Sequence, residues 1–564
     1  MIADHLILGG GSAGCVLAAR LSEDPKRVVV LVEAGRNIEA GHIPDDVRSR
    51  YPGRAYLDTS NIWHSLSAFM GITNSNSNPR QRRRYEQGRI LGGGSAINAL
   101  MANRGAPSDY AEWEALGASG WSWENCLPFF RKIEADRDFD GPLHGKDGPL
   151  TIRRISDRAI SPFVDRVMKT LARQGYPIRD DQNGPWEDGV FRGAIAVSDA
   201  GERLPTSIAF LTHDVRARPN LRIITDSTVE RLVFDGVKAI GAQISGAVSK
   251  MIRAHEVIVS SGAIHSPALL LRSGVGPGKD LAALGIPVVA ARAGVGKNLM
   301  EHPSIAVSAY LPPAMRVRDR AEHHEQAIWR FSSGVPGSPQ GDMHAAILSR
   351  SGWHSVGLRL GTLFFWVNKS FSRGELRLSS ADPRIEPDVD FRMLSDERDL
   401  ERLKLALRMG AQALSDRNMD GYSGTVFPSS YSPRVAKVAV PGAWNGLQRG
   451  ILSALLDLAG PLRPALVHSA ITRGATIDAL LGDDDTLTEF IRRHAGGTWH
   501  PSGTCRMGAK DDAMAVASPT GRVYGVEGLR ICDASLMPSI PCANTNIPTI
   551  MIAERIANFI HNAE

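Results

Sequence analysis

The 564-residue chain, of 60.9 kDa, exceeds the size at which one hydrophobic core stops growing, so two or more domains with a cleft between them are expected. With 43% hydrophobic and 22% charged residues it has the composition of a soluble enzyme, and no uninterrupted apolar run approaches the ~20 residues of a membrane helix. The net charge of +5 is mild, and the one dense basic run (Arg80, Arg82, Arg83, Arg84) lacks interleaved aromatics. It reads as a solvated loop, near a cofactor phosphate if it meets a ligand, and not as a nucleic-acid groove.

Met1 to Leu8 shows no basic n-region, long apolar h-region or cleavage site, so a cytoplasmic location is expected. Asp4 to Leu8 reads as a buried strand, followed at once by Gly9-Gly10-Gly11-Ser12-Ala13-Gly14 and a helical run from Cys15 to Leu21. In such a unit Gly9 permits the tight turn, Gly11 lets the backbone approach a pyrophosphate, and Gly14 lets the helix pack closely on the strand. The free N–H groups of the helix start favour phosphate. A second strand, Val28 to Val32, ends at Glu33, where a carboxylate can accept ribose hydroxyls and disfavours the 2′-phosphate of NADP. A bare GxGxxG is often a plain glycine turn; the strand, helix and terminal acid make this one a dinucleotide site, with NAD and FAD both open.

A second glycine cluster, Gly88 to Asn98, contains Gly92-Gly93-Gly94, a turn suited to backbone passing against a flat ring system or a pyrophosphate. With Gly262 to Gly276, Gly294 to Leu299, His500 to Gly508 and Asn544 to Thr549, it resembles the signatures of the glucose-methanol-choline (GMC) oxidoreductases across essentially the whole chain. The resemblance implies an α/β architecture: a Rossmann-like FAD-binding domain with a discontinuous substrate domain built on an antiparallel sheet with helices. It implies FAD held by Gly9, Gly11, Ser12, Gly14, Glu33, Ala34, Arg89, Gly92, Gly93, Ser95, Asn98, Val229, Trp499, Asp533, Ala534, Asn544 and Thr545. Some relatives attach the flavin covalently through a histidine at the position of Ile97, so non-covalent FAD is expected. Phe365 to Lys369, Pro387 to Phe391 and Ala543 to Asn546 look most like the furfural-alcohol oxidase and choline-dehydrogenase-like branches, which implies primary alcohols on small aromatic or furan rings.

Oxidising an alcohol requires a base for the hydroxyl proton and a group that fixes the oxygen. His500 lies in Gly496-Gly497-Thr498-Trp499-His500-Pro501-Ser502-Gly503, where glycines allow close approach, Pro501 stiffens the loop and Trp499 can shield a site from water. In the family the corresponding histidine faces a histidine or asparagine about forty-four positions later, which here is Asn544. An amide there can hydrogen-bond the substrate oxygen but cannot exchange protons, so His500 acts alone as base. The plainer reading of Asn544 is a cap for a helix from Ile550 to Ile560, and Asn546 is its rival.

His323 and His324, between Glu322 and Glu325, read as a solvated loop, because adjacent side chains rarely converge on a metal; no metal site is expected. The five cysteines are scattered and are expected as reduced thiols. P-loop and HExxH motifs are absent from the sequence. The motif positions place the FAD-binding domain in 1–155, 200–303 and 495–564, and the substrate domain in 156–199 and 304–494. The latter contains an alternating stretch, Glu375 to Ser379, a helical run, Asp396 to Leu414, an exposed loop, Ser332 to Gly341, and a candidate lid over 418–470. The expected activity is oxidation of a primary alcohol to the aldehyde by hydride transfer, with O2 or a quinone-type compound as final acceptor. The alternative is a hydroxynitrile-lyase-type enzyme with structural FAD, and a non-enzymatic scaffold conflicts with the His500 and Asn544 pair.

Overall fold

A computed structural model of the protein describes residues 2–72, 82–429 and 433–562. The first strand, β1 (Ile2–Leu8), lies parallel between β2 (Val29–Val32) and the Lys250–Val259 strand, and the apolar run of β2 is buried throughout. Strands buried on both faces read as continuous Val/Ile/Leu runs, as they do here. Leu221–Ile224 extends the sheet beyond β2, Leu529–Ile531 pairs parallel with Lys250–Val259, and the antiparallel Lys238–Gly246 and Ser227–Asp235 strands close the other side.

The helix α1 (Ser12–Leu21) leaves β1 through the glycine turn, and a Cβ on Gly14 would stand 1.9 Å from the Gly9 carbonyl oxygen. Only glycine lets this helix sit so close to the strand. A long C-terminal helix, Asn546–Asn562, packs against α1 and Trp123–Ile133. It starts a turn earlier than its apolar run suggests, because Pro548 falls in the first turn, where no N–H is needed.

A second seven-stranded sheet runs in the order Val426–Ser429, Ser304–Tyr310, Leu360–Val367, Met343–Leu348, Glu325–Phe331, Gly189–Arg192, Ile178–Arg179, antiparallel except for the last pair. The Glu397–Leu414 helix, whose first turn is capped by Asp396 accepting from Arg398 N at 3.0 Å, packs on its Ser304–Tyr310 and Leu360–Val367 strands. A four-stranded sheet ties Ser67–Gly71 and Arg82–Arg84 to Glu375–Arg377 and Asp388–Met393.

Two loop expectations are corrected. Arg82–Arg84 form a strand, because pairing with Ser67–Gly71 satisfies their backbone; Arg82 meets Asp388 and Arg83 donates to Arg493 O at 2.7 Å, while Arg80 lies outside the described residues. His323 and His324 are buried, not solvated, where the chain enters the Glu325–Phe331 strand. The two rings lie 5.2 Å apart but meet different neighbours, His323 Nε2 donating to Ala99 O at 2.6 Å and His324 packing edge-on against Tyr51. All five cysteines are free and buried. No single helix among the described residues is long and apolar enough to cross a membrane.

Candidate active site

Between the two large sheets lies a cavity of about 1770 Å³. Gly9, Gly11, Ser12, Glu33, Ala34, Arg89, Gly93, Asn98, Val229, Trp499, His500, Asp533, Ala534, Asn544 and Thr545 all line it, although they come from five separate stretches of chain. Gly14, Gly92 and Ser95 stand behind the wall. Gly92 N donates to Gly10 O at 2.7 Å, and Ser95 Oγ donates to Gly92 O at 2.6 Å. The first bond holds the two glycine turns against each other and the second closes the Gly92 turn on itself; a Cβ on Gly93, whose φ is +53°, would lie 2.7 Å from Gly11 Cα.

The N-terminus of α1 has no side-chain cap, so its first N–H groups face the cavity. Glu33 receives Gly10 N at 2.8 Å and Gly35 N at 2.7 Å, and burial pushes its carboxyl up to about 7 against these bonds. Asp533 is placed at the start of the Gly262–Arg272 helix by accepting from Gly262 N at 2.8 Å. Asn98 Oδ1 accepts from Leu100 N at 3.0 Å. Trp499 takes a left-handed backbone conformation, φ +61°, rare for a bulky residue and held by its indole N–H donating to Glu86 at 3.0 Å.

His500 and Asn544 meet in this wall, with Asn544 Nδ2 3.2 Å from His500 Nε2. Asn546 turns away, accepting from Ser12 Oγ at 2.7 Å. Behind His500 lies a buried group absent from the sequence reading. His302 Nδ1 is 2.9 Å from His500 Nδ1, and His302 Nε2 is 3.2 Å from Pro541 O. Glu301 accepts from Tyr85 Oη, from the backbone N of His302, Thr498 and His500, and from Thr498 Oγ1 at 3.1 Å. Burial nevertheless raises the Glu301 carboxyl above its ordinary range. Glu301 and His302 follow the Gly294 to Leu299 stretch by two and three residues, the signal that could have found them.

Hydrogen bonding assigns the protons. The Pro541 carbonyl can only accept, so His302 carries its proton on Nε2. Burial, reinforced by the neighbouring His500, holds His302 well below the ordinary histidine range, so the ring is neutral and its Nδ1 is a lone pair. Thr498 spends its hydroxyl proton on Glu301, so its oxygen accepts as well. His500 Nδ1 faces both acceptors, Thr498 Oγ1 at 2.8 Å and His302 Nδ1 at 2.9 Å, and therefore carries the N–H. Its Nε2 is the unprotonated nitrogen, next to Asn544. Burial also lowers His500 to about 3, which keeps it neutral.

A sequence profile described as GMC oxidoreductase matches residues 3–304, and a second of the same description matches 370–553. The chain belongs to the GMC oxidoreductase family. This GMC oxidoreductase is 41% identical over 573 residues to the 5-(hydroxymethyl)furfural oxidase of a Methylovorus species, covering 99% of the chain and 98% of that protein. It is 30% identical to mitochondrial choline dehydrogenase of Homo sapiens, covering 99% and 89%. The crystal structure of pyridoxine 4-oxidase from Mesorbium loti superposes with a TM-score of 0.80 at 26% identity, covering 99% of both chains. The protein is therefore an oxidoreductase acting on alcohol groups, which favours redox chemistry over the lyase alternative.

The GMC family is FAD-dependent, and the residues present fit that group. A Cβ on Gly11 would have no neighbour nearer than 4.0 Å, so the turn is open on the cavity side, where the helix N–H groups point. Asn544 Oδ1 is buried in the cavity wall with no protein partner, as an acceptor kept for a ligand would be.

Proposed function

We propose that the protein oxidises primary alcohols, with aryl and furan alcohols as the preferred class, and that His500 is the base. The observation that supports this most directly is the tautomer chain from Pro541 through His302 to His500, which leaves the Nε2 lone pair of His500 beside Asn544 in the cavity wall. His500 accepts the hydroxyl proton at Nε2. The Asn544 amide has two N–H groups; one meets His500, and the second holds the alcohol oxygen. Thr498 and Glu301 hold the imidazole from behind, as a carboxylate orients a catalytic histidine. FAD, when bound, supplies the acceptor for the hydride that leaves the carbinol carbon. Gly9, Gly11, Ser12 and Glu33 would hold its adenosine and pyrophosphate half. Ile97, buried in the cavity wall at the position of the covalent histidine, supports a non-covalent cofactor released by acid precipitation.

The substrate class rests on the furan alcohol named for the Methylovorus relative and on Phe364 and Trp366, whose flat rings line the cavity beside Met101. We assign 156–199 and 304–494 to the substrate domain, on the support that Ile178–Arg179 and Gly189–Arg192 share a sheet with strands from 304–429. Benzylic, furanic, aliphatic and choline alcohols, each assayed for peroxide under oxygen and for dye reduction without it, test substrate and acceptor together. Failure of every alcohol to bleach the flavin anaerobically would overturn the reading.

A further inference from the structure

Away from the chemistry, the Ala443–Leu458 helix carries an apolar row on its outer face. Trp444, Leu447, Ile451, Leu455 and Leu458 recur at three- and four-residue intervals, and Leu462 continues the row past the helix end. All are exposed, Leu458 by 82%, Leu462 by 73% and Trp444 by 69%. Between positions 441 and 465 no charged side chain is exposed. Arg449 is buried, Asp457 is held by Arg316, Arg359 and Tyr310, and Arg463 is half-buried over the Tyr310 ring. The helix is nonetheless anchored: Arg449 donates to Val438 O at 2.7 Å, and Ser453 and Leu456 are buried on its inner side. An uncharged apolar stripe on an anchored, outward-facing helix marks an interaction surface.

Exposed cations flank this stripe along the chain. Lys437 is exposed on the preceding Pro433–Ala439 helix, and Asn445 Nδ2 donates to its carbonyl at 3.1 Å; exposed Arg320 shares a small surface pocket with Gly446. Arg473 is exposed in the turn that follows the next helical piece. Ala443–Leu458 and Gly460–Thr472 are together apolar enough to enter a bilayer but are bent by 118°, which suits lying in the headgroup boundary and not crossing it. On the inner side, Gln448, Arg449 and Leu452 line the large cavity, so this helix is part of its wall.

We propose that this face docks on an anionic lipid bilayer, with the apolar row among the acyl chains and Lys437, Arg320 and Arg473 at headgroup level. Docking would bring the substrate cavity to the membrane surface, within reach of alcohols or acceptors dissolved there. The charge pattern selects lipid over a second copy of the chain. A second copy of the stripe offers no exposed carboxylate to the neighbouring cations, whereas anionic headgroups neutralise them.

The test is flotation of the intact FAD-loaded enzyme with vesicles of phosphatidylcholine alone or mixed with phosphatidylglycerol. The enzyme is expected to float with the anionic vesicles, with partition about tenfold weaker on neutral vesicles or in high salt. Leu458→Glu/Leu462→Glu should abolish flotation with flavin content and far-UV circular dichroism unchanged, since neither residue is packed. Lys437→Glu should weaken anionic binding alone. An enzyme that stays in the soluble fraction, or a double variant that floats like the parent, overturns the proposal. So does a parent that elutes as a dimer without lipid, becomes monomeric with the double substitution and ignores vesicles, because the stripe is then a contact between copies.

Discussion

His302 Nδ1 and His500 Nδ1 lie 2.9 Å apart, two like atoms of two neutral rings, and the Pro541 carbonyl decides which of them carries the proton. This makes His302 a positioning residue, acting on the reaction through the tautomer of its neighbour. His302→Ala leaves Thr498 Oγ1 as the remaining acceptor for His500 Nδ1–H. Flavin reduction should slow by about tenfold with little change in KM, and adding Thr498→Val should deepen the loss. A histidine that only fills space would show a stability change with kcat intact, which is the result that argues against the role.

His500→Ala should retain flavin absorbance while anaerobic reduction by alcohol slows on the order of 10²-fold or more. Stopped-flow spectrophotometry reads both quantities in one experiment. Unchanged kinetics would remove His500 as the base.

Burial places His500 at about 3 instead of 6.5, so the base stays unprotonated through mildly acid pH. The reduction rate should therefore hold between pH 8 and pH 5, where a histidine of ordinary pKa would lose about thirtyfold. A descending limb centred near 6.5 would contradict the geometry.

The turn at Gly11 predicts cofactor loss by steric exclusion. Gly11→Leu projects a side chain into open cavity between α1 and the Gly93 turn, so the purified variant should carry little flavin while keeping its fold. Absorbance at the flavin bands against circular dichroism separates the two effects.

Outside the cavity lining, His144 sits among Glu134, Asp136 and Asp181, with Arg154 on the two aspartates. Burial alone would lower His144, but the three carboxylates outweigh it and raise the ring to about 10, while His144 and Arg154 hold Asp181 down to about 2 against its own burial. With its folded pKa raised from 6.5, His144 contributes stability that is complete below about 6.5 and is lost as pH rises towards 10. Asp181 contributes above about 4 and loses it as pH falls towards 2. His144→Ala should cost about 3–5 kcal/mol near pH 5.5, with the deficit shrinking by pH 9 to 10 in thermal melts. A pH-independent deficit would mean that packing, not charge, is what was lost.

The sequence by itself determined the dinucleotide cradle. The glycine spacing, the apolar strand before it, the helix after it and Glu33 at the end of the next strand are neighbours along the chain, and local sterics suffice to read them. It also named His500 and Asn544, which the fold brings within 3.2 Å. What only the tertiary structure decided is what stands behind and around them. Glu301 and His302 reach His500 across nearly two hundred residues, and His323 and His324, flanked by charged neighbours in the chain, are buried, His323 on the Ala99 carbonyl and His324 against Tyr51. The Ala443–Leu458 helix, within the stretch read as a candidate lid, carries an apolar row that the fold leaves facing outward. Periodicity reports which residues share a face; only the packing of distant segments determines what that face meets.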